Sequence, residues 1–203
     1  MENRIFPELR KNSLLLDNKN QNIIETNNHC KENCINIRDI ITFISFQFSA
    51  MIKKNEKLKK KPKRGINEPF YSKLIPSLSL EKFLIRIIKY TEADSNVLIA
   101  AYLYILKLIE TENFILSVNN IYRLLLGSVV LAEKVLTDLT NKNSYYCEIG
   151  GISLQELNNI ELSLFERLNY KINLKKEQID NVYKTINEFV FLKTNKYFKD
   201  RNN

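Results

Sequence analysis

The sequence predicts an all-α protein, and three observations carry that prediction. Only four glycines and four prolines occur in 203 residues, too few turn formers for a sandwich or barrel of many short strands. Apolar residues recur at three- and four-residue spacing in six separate stretches between Ile37 and Val190, the period of a helix that buries one face. The one close glycine pair is Gly150 with Gly151, so the glycine-rich loops that cradle nucleotide phosphates are missing, which disfavours a nucleotide-fold enzyme.

Residues 1–36 are rich in Asn, Lys and Glu, with apolar islands only at Leu14–Leu16 and at Ile23 and Ile24. Such a segment buries too little to offset its ordering entropy, so a disordered or extended arm is expected there. Ile37, Ile40, Ile41, Ile44, Phe48, Met51 and Ile52 then form one stripe, a first helix ended by a basic run and Pro62. A basic linker over residues 53–65 follows. Ser77 or Ser79 caps a second helix whose buried face is Leu80, Phe83, Leu84, Ile87 and Ile88.

Asp94 or Ser95 starts a third helix, Val97 to about Ile109, apolar on nearly every side and therefore central. Ser117 is the expected cap of a fourth, with Ile121, Leu124, Leu125, Val129, Ala132, Val135 and Leu136 buried and Gly127 allowing a neighbour to approach closely. Thr137–Asn143 reads as a polar loop. Ser153 with Glu156 three residues on makes a capping box for a fifth helix carrying Leu157, Ile160, Leu164 and Leu168. Ile179, Val182, Tyr183, Ile186, Phe189 and Val190 define the sixth, within a C-terminal helix and tail over 176–203.

The chain carries a net charge of +8, and Lys53 to Arg64 supplies most of it with eight basic residues and one glutamate. Three readings of that run stay open: a solvated linker, a nuclear-import signal at Lys59, Lys60, Lys61, Lys63 and Arg64, or a phosphate-backbone contact. Because the run is confined to a linker, nucleic acid is not the expected partner. Cys30, Cys34 and Cys147 are too few for a disulfide framework and no apolar leader follows a basic start, which predicts a reducing compartment, cytoplasmic and/or nuclear. The longest apolar run, Val97 to Leu106, is about half of the roughly 20 residues a membrane-spanning helix needs.

Chemistry is hard to find. His29 is the only histidine and lies in the arm, so a Ser-His or Cys-His pair has no rigid frame, and His29, Cys30 and Cys34 fall short of the four ligands zinc takes. Neither a metal nor a cofactor is expected. Cys147 reads as a small half-buried hydrophobe. Glu156 and Glu161, five apart, do not share a helix face and make no carboxylate dyad. The chain therefore reads as a module that works by contact.

Here a resemblance becomes visible. "NNIYRLLLGSVVLAEKV", "NKNSYYCEIGG" and "ISLQELNNIELSLFERLNY" resemble the cyclin box, and more narrowly that of phosphate-pathway (P-type or U-type) cyclins. The preceding "PFYSKLIPSLSLEKFLIRIIKYTEADSNVLIAAYLYILKL" is similar to the first two helices of that box, so the likeness covers about residues 37–175. It implies a five-helix bundle with one flanking helix at each end, a non-catalytic subunit that binds a cyclin-dependent kinase and holds its mobile catalytic helix in the active position. It also implies that Lys134 and Glu161 sit together and contact kinase backbone, and that Gly150 and Gly151 are structural.

Arg86 matches an arginine that in cyclins pairs with an aspartate at the end of the next helix. Leu106 stands at that aspartate position, followed by Lys107, so Arg86 must find a carbonyl, another carboxylate or solvent. Tyr122 stands where many relatives carry histidine. Two rival functions remain beside the kinase regulator: a scaffold that keeps the box without activating a kinase, and a cyclin-like transcription or DNA-binding factor.

Overall fold

The computed structural model describes residues 35–60 and 69–201, the side chains as far as Lys193. These residues form seven α-helices and, among the described residues, no strand: α1 (Ile37–Lys57), α2 (Leu80–Thr91), α3 (Ser95–Glu112), α4 (Ile121–Leu136), α5 (Asn143–Gly150), α6 (Leu154–Arg167) and α7 (Lys176–Arg201). Helices α2 to α6 make a five-helix bundle, and α1 and α7 flank it. The arm expected over residues 1–36, including His29, Cys30 and Cys34, lies through residue 34 outside the described residues.

Most helix starts follow the capping chemistry of the sequence. The Ser79 hydroxyl accepts from Lys82 N, the Asp94 carboxylate from Val97 N, and Ser153 with Glu156 closes a reciprocal capping box at the start of α6. Ser117 is a correction: α4 begins four residues later, and its first turn is prepared by Asn120, fully buried, which accepts from Ser117 N and donates to the Ile115 carbonyl. The Asn120 amide offers both a donor and an acceptor, whereas a serine hydroxyl could not bridge two separated backbone groups so well.

Helix α1 runs through Lys53, Lys54 and Lys57, so the basic stretch begins as helix and the linker begins at Leu58, not at residue 53. The ending is local. Lys60 N bonds Asn55 O and Lys59 N bonds Glu56 O, the two reverse bonds of a Schellman motif, with Lys59 in the left-handed region at φ 52°. Cations in this last turn also complement the negative end of the helix dipole.

The core lies where α3 packs against α4, α1 and α7, as expected for its apolar circumference. Val97, Ile99, Ala100, Tyr104, Ile105 and Leu108 are fully buried. On the α1 and α7 side the packing is aromatic: Phe43 meets Tyr102 and Phe189 edge-on at 5.7 and 5.5 Å, and Phe48 meets Tyr102 at 5.3 Å.

Gly127 of α4 faces α6 so closely that a Cβ there would drive into the Ile160 side chain, and a Cβ on Gly150 would likewise drive into Leu126. The lack of a side chain at both positions lets α5 and α6 close on α4. Leu136, expected in the buried stripe of α4, is instead 43% exposed because that helix ends at the bundle's surface.

Helix α5 is the element that periodicity does not reveal. Its eight residues hold only Tyr146, Cys147 and Ile149 in the core, and it has no side-chain cap at its start. Cys147 is thus a buried hydrophobe inside a helix and not a half-buried one, and burial pushes its thiol pKa up. Gly151, at φ 66°, supplies the left-handed C-cap.

Candidate functional site

Lys134 lies in the last turn of α4 and Glu161 at the middle of α6. Close approach of the two helices at Gly127 and Ile160 brings the residues together, the Lys134 ammonium donating to both Glu161 oxygens at 2.6 and 2.7 Å. The pair remains partly exposed, Lys134 more than Glu161. Asn143, the first residue of α5, donates to Glu161 Oε2 at 3.0 Å and to Asn158 Oδ1 at 2.8 Å, so three helices fix the carboxylate.

Beside the pair runs a groove of about 430 Å³ walled by Leu131, Val135, Leu162, Phe165 and Ile172, with Lys134, Asn158 and Glu161 on its polar side. Its far wall is pinned to α3. Tyr104 OH donates to the Ile172 carbonyl at 2.8 Å, and Lys107 Nζ to the Lys171 carbonyl at 2.7 Å. The Tyr104 pKa is pushed up to about 12 by burial, so the phenol stays a donor at any ordinary pH. Leu162, 56% exposed, presents an aliphatic side chain to solvent at the groove's edge.

Behind Lys134, Glu133 is 5% exposed and accepts a hydrogen bond from Tyr146 OH of α5. Burial raises the carboxyl pKa, the Tyr146 bond works against that rise, and Asp94 adds to it. Burial and the acid beside it push the Tyr146 phenol up as well. Glu156, by contrast, is held below the usual carboxylate range first by the Ser153 backbone N–H, then by the Ser153 hydroxyl and Arg123.

Arg123 is the residue that sequence reasoning missed. Its guanidinium donates to the Pro69 and Tyr71 carbonyls at 3.2 and 3.1 Å and pairs with Glu156, tying the segment before α2 and the start of α6 to α4. The sequence carries no signal for it, since an arginine between apolar neighbours reads alike whether its guanidinium is solvated or bonded. Tyr122 next to it donates to the Leu78 carbonyl at 2.7 Å.

Arg86 finds a carbonyl, one of the three outcomes open to it: Nη2 lies 3.5 Å from Glu148 O in the last turn of α5, the negative end of that helix. Of the proposed import residues, Lys59 and Lys60 are exposed, while Lys61, Lys63 and Arg64 lie outside the described residues. Among the described residues no group of three His, Cys, Asp or Glu stands close enough to hold a metal ion, and no helix is long and apolar enough to cross a membrane.

A five-helix box with a lysine and glutamate joined across α4 and α6, its third and fifth helices, defines an interaction module of the cyclin-box class. Residues 19–172 match the cyclin family, and the chain belongs to that family. It is 29% identical over 66% of its length to Cyclin-U2-1 of Arabidopsis thaliana and 34% identical over 66% to Cyclin-U1-1 of the same plant. A third relative, the PHO85 cyclin-like protein psl1 of Schizosaccharomyces pombe, is 37% identical over 47% of this chain and 40% of its own length. The matched region spans 62% of Cyclin-U2-1 and 66% of Cyclin-U1-1, under two thirds of either relative. The resemblance to P- and U-type cyclins is thereby established.

Proposed function

We propose that this cyclin is a non-catalytic regulatory subunit, acting in the cytoplasm and/or nucleus, that binds a cyclin-dependent serine/threonine kinase and fixes its mobile catalytic helix. The observation that carries the proposal is the partly exposed Lys134–Glu161 pair at the rim of an apolar groove. A helix end presents orphan N–H and C=O groups together with an apolar stripe. The ammonium keeps a donor beyond those given to Glu161, the carboxylate keeps acceptor capacity, and the groove takes the apolar side chains. In kinases the mobile helix must carry a glutamate to the ATP-site lysine, so holding that helix completes the site.

The thermodynamic demand is differential. Moving a kinase from mostly inactive to mostly active takes roughly 5.5 kcal/mol more affinity for the active form. Apolar contacts in the groove count toward that difference only where the inactive form's helix cannot make them.

Capture of the full chain from its native cells, followed by identification of bound kinases, tests the partner. A cyclin-dependent kinase is expected, and repeated capture without one overturns the proposal. Lys134→Glu places two carboxylates together and should weaken the association at least a hundredfold with unchanged helical circular dichroism; equal binding would show that another face makes the contact. Activation is read separately, as phosphorylation of a peptide substrate by the isolated kinase with and without the chain. Binding without a rise in that rate would return the scaffold reading.

A further inference from the structure

The basic stretch has no part in the groove, yet five of its lysines stand on described, ordered backbone. Lys53, Lys54 and Lys57 ride the last turns of α1, and Lys59 and Lys60 lie in its Schellman ending; all five are exposed, and none forms an ion pair with a described residue. Lys53 and Lys57 are four apart on a helix, where like charges repel. Residues 53–64 hold eight basic residues against one acidic, seven of the net eight positive charges in the chain.

Aliphatic side chains stand exposed at the same end of the bundle. Asn55 Nδ2 donates to the Leu116 carbonyl at 3.0 Å, joining the end of α1 to the loop before α4. That loop is joined in turn to the segment before α2, where Ser72 N donates to Asn119 O at 2.7 Å and Asn119 Nδ2 to Ser72 O at 2.9 Å. These ties join the segments that bear Leu58 (57% exposed), Val118 (37%), Leu74 (85%) and Ile75 (51%) at the end of α1 that carries the lysines. The Leu74 turn is itself fixed, its N–H and carbonyl both bonded to the Ser72 hydroxyl.

We infer that this end of the bundle is a docking surface for an acidic polypeptide segment bearing aliphatic side chains. The charge selects an anion, and the aliphatic side chains select a polypeptide: apart from Tyr71 the exposed neighbours offer no rings on which bases stack. A bilayer asks for a continuous apolar face, whereas Leu58 and Leu74 stand on separate segments. Lys134, on the polar side of the groove, lies thirteen residues up α4 from Ile121, about 20 Å at 1.5 Å per residue, while the Ile172 wall is held to Tyr104 in the second half of α3. An acidic segment at the end of α1 and a partner's groups on Lys134 therefore need not compete.

The test measures fluorescence anisotropy of a labelled 15-residue peptide alternating Asp or Glu with Leu, titrated with the full chain at 50 and 150 mM salt. The same chain is assayed against phosphatidylserine vesicles and a DNA duplex. Lys53→Glu, Lys57→Glu and Lys60→Glu together should weaken peptide binding at least tenfold. Leu74→Ser should weaken it about threefold, and reversing Lys175, Lys176 and Lys184 to Glu, an equal change of charge elsewhere, less than twofold. Equal losses from the two triple reversals would reduce the effect to net charge and overturn the inference, as would tighter binding of vesicles or duplex than of peptide. A peptide with Ser in place of Leu that binds equally well would overturn the apolar half of it.

Discussion

Around Lys134 the helices α4, α5 and α6 are joined by directed polar contacts: Lys134 to Glu161, Asn143 to Glu161 and Asn158, Tyr146 to Glu133, Arg123 to Glu156. On the opposite flank α1 and α7 lie against α3 through rings, with Phe43, Phe48, Tyr102 and Phe189 in contact. The two regions divide the work. Apolar burial is non-directional and supplies most of the stability, whereas hydrogen bonds contribute little net but fix where a side chain points. A site whose task is to meet another protein's backbone groups needs the second kind of order; a brace needs only the first.

The largest effect should come from the braced flank. Phe43→Ala removes a fully buried ring with two aromatic partners and should lower the unfolding free energy by about 3–5 kcal/mol in urea titration. If the regions are as separate as their contacts indicate, partner affinity below the melting transition stays within twofold. A tenfold loss would show that the flank positions the groove as well.

Tyr146→Phe strikes the directed side. Glu133 loses its buried donor, at about 1–3 kcal/mol. The pH dependence has a definite sign. Burial keeps Glu133 protonated to higher pH in the fold than in the unfolded chain, so its contribution is complete below the ordinary value of 4.5 and is lost as pH rises through the raised one. Removing the bond that opposes the rise lifts that pKa further. Urea midpoints measured from pH 4 to 8 should therefore fall more steeply with rising pH in the variant than in the parent; parallel profiles would deny Glu133 this role.

Gly151→Ala places a Cβ on a residue at φ 66° with open space around it, so the cost is backbone strain alone, about 1–2 kcal/mol by thermal unfolding. The smallest effect belongs to Asn143→Ala, about 1 kcal/mol. A double-mutant cycle with Glu161→Gln, read on partner affinity, should give a coupling of at least 0.5 kcal/mol; additive losses would mean that Asn143 does not orient the carboxylate.

The sequence made the long amphipathic helices legible, because each repeats its apolar stripe over three turns or more and most carry a side-chain cap. Helix α5 escaped for the same reason inverted. Two turns give too few repeats to show a period, Lys142 offers no cap at its start, and its place was announced only by the likeness to the cyclin box. The proximity of Lys134 and Glu161, 27 residues apart, also came from that likeness, since periodicity places residues on a face and says nothing about which faces meet. Arg123 and Asn143 were legible in neither way. Their partners are backbone carbonyls and a carboxylate brought near only by the tertiary fold, and a polar residue between apolar ones looks the same whether it is solvated or bonded.

Gly127 sits two helical turns before Lys134, on nearly the same side of α4, and its neighbour Ile160 adjoins Glu161 in the chain. Any larger residue there would act as a wedge near the fulcrum of two crossed rods, and the gap it opened would widen toward their tips. The missing methyl at position 127 thus works as a gauge block, setting from a distance how far apart the two charged tips stand.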